Sequence, residues 1–182
     1  MKLCLLGDGR VGKTSLRRQY LGQGFATDYL ETLGADFAFK VGNVAGYEFR
    51  YQIWDIAGQP RYSELKKSFY MGAQAALVLY DITNNQSYAN VRNWVEELWR
   101  YNTKGKTVPV VIVGNKVDLR PTFDNALRAQ AGEQLVKELV EENSLDFEVP
   151  FLETSAKTGE QVEEAFDLIS RIFLRIHDIR QA

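Results

Sequence analysis

The strongest constraint on the fold is the stretch GDGRVGKT at residues 7–14, which fits the pattern GxxxxGK[ST]. An apolar run at residues 3–6 precedes it and a helical pattern follows it. The N–H groups of such a loop turn inward, and the helix adds the positive end of its dipole, so the pattern predicts a phosphate-binding loop. Lys13 would reach the β- and γ-phosphates, and Thr14 would offer a hydroxyl to Mg²⁺. The alternative is a glycine-rich turn that only opens a helix.

Composition favours a single globular domain spanning residues 1–182, since 45% of the chain is hydrophobic and 25% is charged. A net charge of −2 without a Lys/Arg block disfavours nucleic acid or acidic lipid as a partner. The apolar runs are too short to span a membrane, so we expect a cytoplasmic chain with no membrane insertion. Cys4 is the only cysteine, which favours a reducing compartment.

Short apolar runs alternate with helical patterns, which predicts an α/β fold with a mostly parallel sheet. Segments 36–41 and 47–54 alternate apolar and polar residues around turn residues 43–46, which predicts an antiparallel hairpin at the sheet edge with one face partly wet. A short strand is expected at Phe151 and Leu152. The central strands, covered by helices on both faces, are predicted at residues 3–6, 75–80 and 108–113.

Helices are predicted from the spacing of apolar residues. One follows the phosphate loop, and the last has Thr158 and Gln161 spaced as a capping box. The other segments with helical spacing run from Tyr88 to Leu98, over residues 126–140, and from Val162 to Ile176.

Further motifs follow the phosphate loop in a fixed order: Thr32, WDIAGQ at residues 54–59, GNKVD at 114–118 and TSAK at 154–157. Each follows a predicted strand or lies in a loop, at the edge of the sheet where ligands bind. With these motifs the chain resembles the small GTPases of the Ras superfamily, and most of all their Rab branch. The Rab resemblance is carried by TLGADF (32–37), FYMGA (69–73), VLYDIT (78–83) and QSYANVRNW (86–94).

The resemblance implies the Ras-like P-loop GTPase fold, with three layers and a six-stranded, mostly parallel sheet that has one antiparallel edge strand. It also implies a molecular switch that binds GTP and GDP with Mg²⁺ and hydrolyses GTP slowly. Loop residues expected to contact the nucleotide are Gly9, Arg10, Val11, Gly12, Lys13, Thr14 and Ser15.

Asp118 is expected to select guanine, because its carboxylate can accept from the N1–H and the 2-amino group, which adenine does not match. A buried acceptor left unpaired by the wrong base discriminates by about 10⁴ or more. By resemblance, Asn115 and Lys116 would hold the loop and cover the base, and the Ala156 N–H would meet O6. The residues implied on this side are Phe25, which would stack on the base, Asn115, Lys116, Asp118, Ser155, Ala156 and Lys157.

The metal site is expected to use the hydroxyls of Thr14 and Thr32, with Asp55 acting through a coordinating water. Gln59 fits the residue that positions the attacking water. Thr32 would reach the metal only when the γ-phosphate draws its loop in, and the Gly58 N–H contacts the same phosphate in relatives. Two switch loops, at residues 25–32 and 58–70, would therefore distinguish the nucleotide states. The catalytic residues predicted are Gln59, Lys13 and Thr32.

Phe37, Trp54 and Phe69 are expected by resemblance to form an aromatic patch that effectors bind. Ordinary packing of an edge hairpin is the alternative, and the two are compatible. The resemblance further implies an exchange factor and an activating protein as partners of a monomer. A P-loop kinase or ATPase, and a nucleotide-locked scaffold with little or no hydrolysis, are the alternative functions.

Some residues depart from the family pattern. Pro60 follows Gln59 where most Rab proteins have Glu, and we expect it to stiffen the second switch. Arg10 replaces a small residue and would be solvated, assist hydrolysis in cis, or pair with an acid of a switch. Residues 121–149 are longer than the matching Rab segment. Without a cysteine near the C-terminus, membrane association would require a lipidated tail or a partner.

Overall fold

A six-stranded sheet organises the part of the chain that the structure describes. The computed structural model describes residues 1–26, 32–58, 63–102, 105 and 108–177, with residues 63–66 as backbone only. The strands are β1 (Lys2–Leu6), β2 (Ala35–Val44), β3 (Tyr47–Ile56), β4 (Ala75–Asp81), β5 (Val110–Asn115) and β6 (Phe151–Thr154). All neighbouring strands are parallel except β2 and β3, and the order in the sheet is β2-β3-β1-β4-β5-β6. The prediction of a mostly parallel sheet with one antiparallel edge is confirmed.

Helices cover both faces of the sheet, as predicted. They are α1 (Lys13–Tyr20), α2 (Ser63–Tyr70), α3 (Asn85–Ala89), α4 (Val91–Tyr101), α5 (Ala129–Asn143) and α6 (Val162–Ile176), with a 3₁₀ helix at Val117–Thr122. On one face α1 and α6 bury side chains such as Leu16 and Phe166, and on the other α2, α4 and α5 contribute Tyr70, Val95 and Leu139. No described helix combines the length and the apolar character needed to cross a bilayer.

The central strands explain their continuous apolar sequences. Every residue of β4 and of β5 is buried, because each strand is covered by helices on both faces. β5 begins at Val110, two residues later than predicted, because Pro109 has no N–H to donate to the ladder. Its carbonyl accepts from the Ala76 N–H at 3.0 Å.

The edge hairpin is longer than predicted, and its exposed face is apolar. β2 and β3 remain paired to Val44 and Tyr47, so the turn contains only Ala45 and Gly46, both with positive φ. The β3 side chains that face α1 and α6 are buried. Three apolar side chains of β2 lie on the other face and are 50–70% exposed: Phe37, Phe39 and Val41.

The helices also differ from the sequence predictions. The middle helix is divided at Asn90 into α3 and α4. α5 begins at Ala129 because the Leu127 N–H donates to the Ile82 carbonyl at 2.8 Å, which keeps the preceding residues out of the helix. The prediction of a capping box formed by Thr158 and Gln161 is wrong. α6 follows Gln161 in a left-handed conformation (φ 53°), and the Thr158 N–H is bonded to Ser155 Oγ at 3.1 Å.

Candidate nucleotide site

The phosphate loop curls around the ammonium of Lys13. Nζ of Lys13 donates to the carbonyls of Gly7 and Asp8, both at 2.7 Å, and the side chain is buried. The loop requires glycine where it touches β4, because a Cβ on Gly7 would lie 2.2 Å from the Leu79 carbonyl oxygen. The structure thus places a buried cation and the N-terminus of α1 beside one concave loop, an arrangement that suits phosphate.

An acidic side chain fixes this loop to α4. The Asp8 carboxylate accepts from Trp94 Nε1 at 2.8 Å and from Asn90 Nδ2 at 2.7 Å. Sequence reasoning missed these three residues, although an acid inside a phosphate loop is a signal. Both donors come from the α4 side, so the negative carboxylate is held against that helix.

Gly58 lies against the same loop from the end of β3. A Cβ there would lie 2.3 Å from Asp8 C and from Gly9 N, so only glycine permits this approach of two backbones. The predicted phosphate contact of Gly58 is consistent with this position. Gln59 and Pro60 lie outside the described residues, as do residues 27–31 of the first switch and 61–62 of the second.

The predicted metal residues lie together. Thr14 Oγ1 donates to Asp55 Oδ2 at 2.5 Å, and the hydroxyls of Thr14 and Thr32 are 3.1 Å apart. Asp55 is fully buried, and its other oxygen, Oδ1, has no hydrogen-bond partner among the residues the structure describes. Burial raises the pKa of Asp55, while the Thr14 hydrogen bond and the charge of Lys13 lower it. An unpaired carboxylate oxygen beside two hydroxyls is a set of hard oxygen donors, which fits Mg²⁺.

Asn115 joins three of the predicted motifs. Its Nδ2 donates to the Val11 carbonyl at 2.8 Å, and its Oδ1 accepts from Thr154 Oγ1 and the Ala156 N–H, both at 3.0 Å. The phosphate loop and the loops after β5 and β6 are therefore connected through one buried amide. The N–H that the resemblance assigns to guanine O6 is bonded to Asn115 in this structure.

Asp118 is held in place by the TSAK motif. Ser155 Oγ donates to Asp118 Oδ1 at 2.6 Å and accepts from the Thr158 N–H. Lys116 adopts a left-handed backbone conformation (φ 73°), and its Nζ pairs with Asp81 Oδ2 at 2.6 Å. The side chain of Lys116 is thus fixed to the end of β4, a contact that the sequence did not reveal.

Other predicted residues are less closely connected. Phe25 is 44% exposed after α1, and no contact that the structure describes joins it to Asp118. Arg10 is exposed and has a φ of 68°, which is uncommon for a residue with a side chain. Lys157 is also exposed, whereas Ser15 is partly buried on α1.

The aromatic patch forms as predicted. The Phe37 and Trp54 rings stack at 5.3 Å between centroids, and Trp54 and Phe69 are 5.9 Å apart. The ammonium of Lys2 lies 4.5 Å from the centre of the Trp54 ring. Phe37 is half exposed, so the three rings pack on the hairpin and still present a surface.

Together, the sheet order, the phosphate loop and the Asn115 connection define a Ras-like P-loop protein of the GTP-binding type. Comparison with known proteins supports this class: the family model described as Ras family matches residues 2–175. Ras-related protein Rab-37 of Homo sapiens is 41% identical over 171 residues, covering 93% of this chain and 71% of that protein.

Two further relatives extend the match. Ras-related protein Rab-8B of Homo sapiens is 34% identical over 186 residues, covering 100% of this chain and 84% of that protein. Ras-related protein RABG3f of Arabidopsis thaliana is 37% identical over 177 residues, covering 96% of this chain and 82% of that protein. The chain therefore belongs to the Ras family of small GTPases, and it is Rab-like within that family.

Proposed function

We propose that residues 1–182 form one small GTPase domain that binds GTP and GDP with Mg²⁺, hydrolyses GTP slowly and acts as a switch. The proposal rests mainly on the amide of Asn115, which connects the phosphate loop to both predicted base-binding loops. One end of the resulting site carries Lys13 and Thr14, and the other carries Asp118. That arrangement matches the two ends of a guanine nucleotide.

At the base end, Asp118 would accept from the N1–H and 2-amino group of guanine, oriented by Ser155. The stem of Lys116 would cover the base while its ammonium stays paired with Asp81. The Ala156 N–H, which donates to Asn115 Oδ1 in this structure, would be shared with O6 of the base. Phe25 would stack on the base, and Lys157 would border the base site. The selectivity for guanine would come chiefly from Asp118, because the bound base would cover its carboxylate and an acceptor left unpaired there is costly.

At the phosphate end, Lys13 and the loop N–H groups would bind the phosphates. Thr14 and Thr32 would hold Mg²⁺ and Asp55 would act through water, while the ion would neutralise phosphate charge. Gln59 would orient the attacking water. Without an arginine donor the rate would be about 10⁻⁴ to 10⁻³ s⁻¹, the range of the Ras proteins on which the mechanism is based.

The output of the switch would be protein binding. Phe37, Trp54 and Phe69 would receive effectors together with the switch loops, and an exchange factor and an activating protein would control the nucleotide state. A Rab-like role in membrane traffic would suit a cytoplasmic monomer that reaches membranes through a lipidated tail or a partner. No nucleic acid is expected among the partners.

Single-turnover hydrolysis tests this function. The purified chain is loaded with GTP and Mg²⁺, and bound nucleotide is followed by chromatography over hours, alongside Gln59→Leu and the matched control Gln134→Leu on α5. We expect slow formation of GDP in the parent and in Gln134→Leu, and its loss in Gln59→Leu. A parent that keeps GTP intact would instead be a nucleotide-locked scaffold. Arg10→Ala hydrolysing at the parent rate would exclude assistance in cis.

A further inference from the structure

Arg17 is a buried cation beside the proposed metal site. It lies on α1 one turn after Lys13, so the two side chains share a face of the helix. Its Nη2 pairs with Asp36 Oδ2 at 2.6 Å, and its side chain is only 10% exposed, against 62% for that of Asp36. Its Nε and Nη1 are buried and have no hydrogen-bond partner among the described residues. Burying charged nitrogens without hydrogen-bond partners costs free energy, so the burial of Arg17 requires an explanation.

Asp36 connects this pair to the first switch. It is the second residue of β2 and follows Thr32 by four residues. Its second oxygen, Oδ1, accepts from the Phe37 N–H at 2.8 Å, so both carboxylate oxygens hold the start of the strand. The pair therefore fixes the chain just after Thr32 to the helix that carries Thr14.

The pairing of β2 with β3 explains why a cation is needed at this point. Asp36 lies opposite Asp55 in the antiparallel register, and two carboxylates in opposed positions repel each other. Arg17 is bonded to one of these acids, and its charge also acts on the other, favouring its ionised form. Without it, the start of β2 would carry an unneutralised charge beside the buried Asp55.

We propose that Arg17 is a positioning residue that holds the start of β2 on α1, and so keeps Thr32 within reach of Thr14 and slows the release of bound GTP. This inference deepens the proposed function and rests on it. It assigns Arg17 and Asp36 no contact with the nucleotide. The pair acts through Thr32, so its effect on nucleotide release depends on Mg²⁺.

Release of a fluorescent, non-hydrolysable GTP analogue tests the inference, measured with Mg²⁺ and again with excess EDTA, because Thr32 is expected to reach the metal only when a γ-phosphate is present. Arg17→Met keeps the volume of the side chain, and the exposed Asp36 remains hydrated, so the variant is expected to fold. We expect Arg17→Met and Asp36→Asn each to release the GTP analogue about tenfold faster with Mg²⁺. The double variant is expected to be no faster than either single one, because the two residues act as a pair. Arg17→Lys is expected to recover most of the parent rate, and Arg18→Met is the matched control.

The EDTA arm separates positioning from general destabilisation. With EDTA we expect the parent and all variants to release the GTP analogue at the same rate. If the parent and the Arg17→Met and Asp36→Asn variants released the nucleotide at equal rates with Mg²⁺, the inference would be overturned. It would also be overturned if the variants released it faster by the same factor with Mg²⁺ and with EDTA.

Hydrogen exchange of residues 32–36 provides a second test that needs no added nucleotide. We expect faster exchange there in Arg17→Met but not in Arg18→Met, and unchanged exchange in Arg17→Met would overturn the inference. A parent that fails to bind GDP at all would contradict the proposed function instead, and the exchange result would still decide whether Arg17 holds β2.

Discussion

Two tyrosine hydroxyls show how one buried polar atom affects stability. Tyr51 Oη and Ser170 Oγ are 2.8 Å apart, whereas the hydroxyl of Tyr80 is buried without a hydrogen-bond partner among the described residues. We expect Tyr80→Phe to raise the free energy of unfolding by up to about 1 kcal/mol, since it removes an unsatisfied group. The matched change Tyr51→Phe should lower it by about 1 kcal/mol, because it breaks a buried hydrogen bond. Urea unfolding measures both, and a loss in Tyr80→Phe equal to that in Tyr51→Phe would contradict this account.

Cys4 makes stability depend on pH. Burial on β1 raises the pKa of its thiol from 9.0 to about 12. Below the pKa of the unfolded chain, the thiol is protonated in the folded and the unfolded state, so its ionisation does not lower the free energy of unfolding. Between the unfolded and the folded pKa only the unfolded chain ionises, and stability falls by up to about 1.4 kcal/mol per pH unit.

The Cys4→Val variant isolates that contribution from the lysines and tyrosines that titrate in the same range. We expect the parent to lose stability faster than Cys4→Val as the pH rises above 9.0, the ordinary pKa of the thiol in an unfolded chain. Urea unfolding at a series of pH values measures the difference. Parallel pH profiles for the two proteins would show that the native thiol ionises as easily as the unfolded one.

Among the secondary-structure elements, α4 supports the phosphate loop through Asp8, and this support can be tested. Trp94→Phe removes the donor to Asp8 Oδ1 but keeps most of the buried ring. Hydrogen bonds to charged groups contribute about 1.5–3 kcal/mol, so GDP affinity should fall about tenfold or more.

Trp99→Phe on the same helix is the matched control. It breaks the bond from Trp99 Nε1 to the Val108 carbonyl, at 3.0 Å, far along the helix from the loop. We expect it to lower stability without changing GDP affinity, which calorimetric titration measures. An equal loss of affinity in both variants would show that α4 acts on the site only through general stability.

The elements that the sequence predicted best are those with local signals. The strand before the phosphate loop and the helix after it follow from a fixed motif, and β4 follows from an uninterrupted apolar run. The hairpin was predicted as a pair, but alternation alone does not tell which face meets a helix. Only the structure shows that Phe37, Phe39 and Val41 lie on the exposed face.

The sequence predicted helix boundaries wrongly where a contact with a residue distant in the sequence determines them. α5 begins later than predicted because the Leu127 N–H donates to the carbonyl of Ile82, which is 45 residues earlier in the sequence. The capping box failed because Ser155, which also holds Asp118, takes the N–H of Thr158. Each of these contacts joins segments whose proximity depends on the folded sheet, so local patterns could not reveal them.

At the scale of the whole molecule, the order of the motifs predicted that the phosphate loop and the loops after β5 and β6 lie together, as the structure shows. Parallel strands end at one edge of the sheet, so loops that follow β1, β5 and β6 must meet there. The side chains that connect them were not predictable. Asn115 and Val11 are separated by 104 positions, and Asp8 and Trp94 by 86. Gln59 lies outside the described residues, and its role stays a prediction.

The central claim, a switch built on guanine nucleotides, is tested most directly by base selectivity. A fluorescent GDP analogue bound with Mg²⁺ is displaced by unlabelled GDP or ADP, in the parent, in Asp118→Asn and in the matched control Asp124→Asn. We expect the parent and the control to prefer GDP by about 10⁴ or more, and Asp118→Asn to lose most of that preference. ADP displacing the analogue from the parent as well as GDP does would contradict the account.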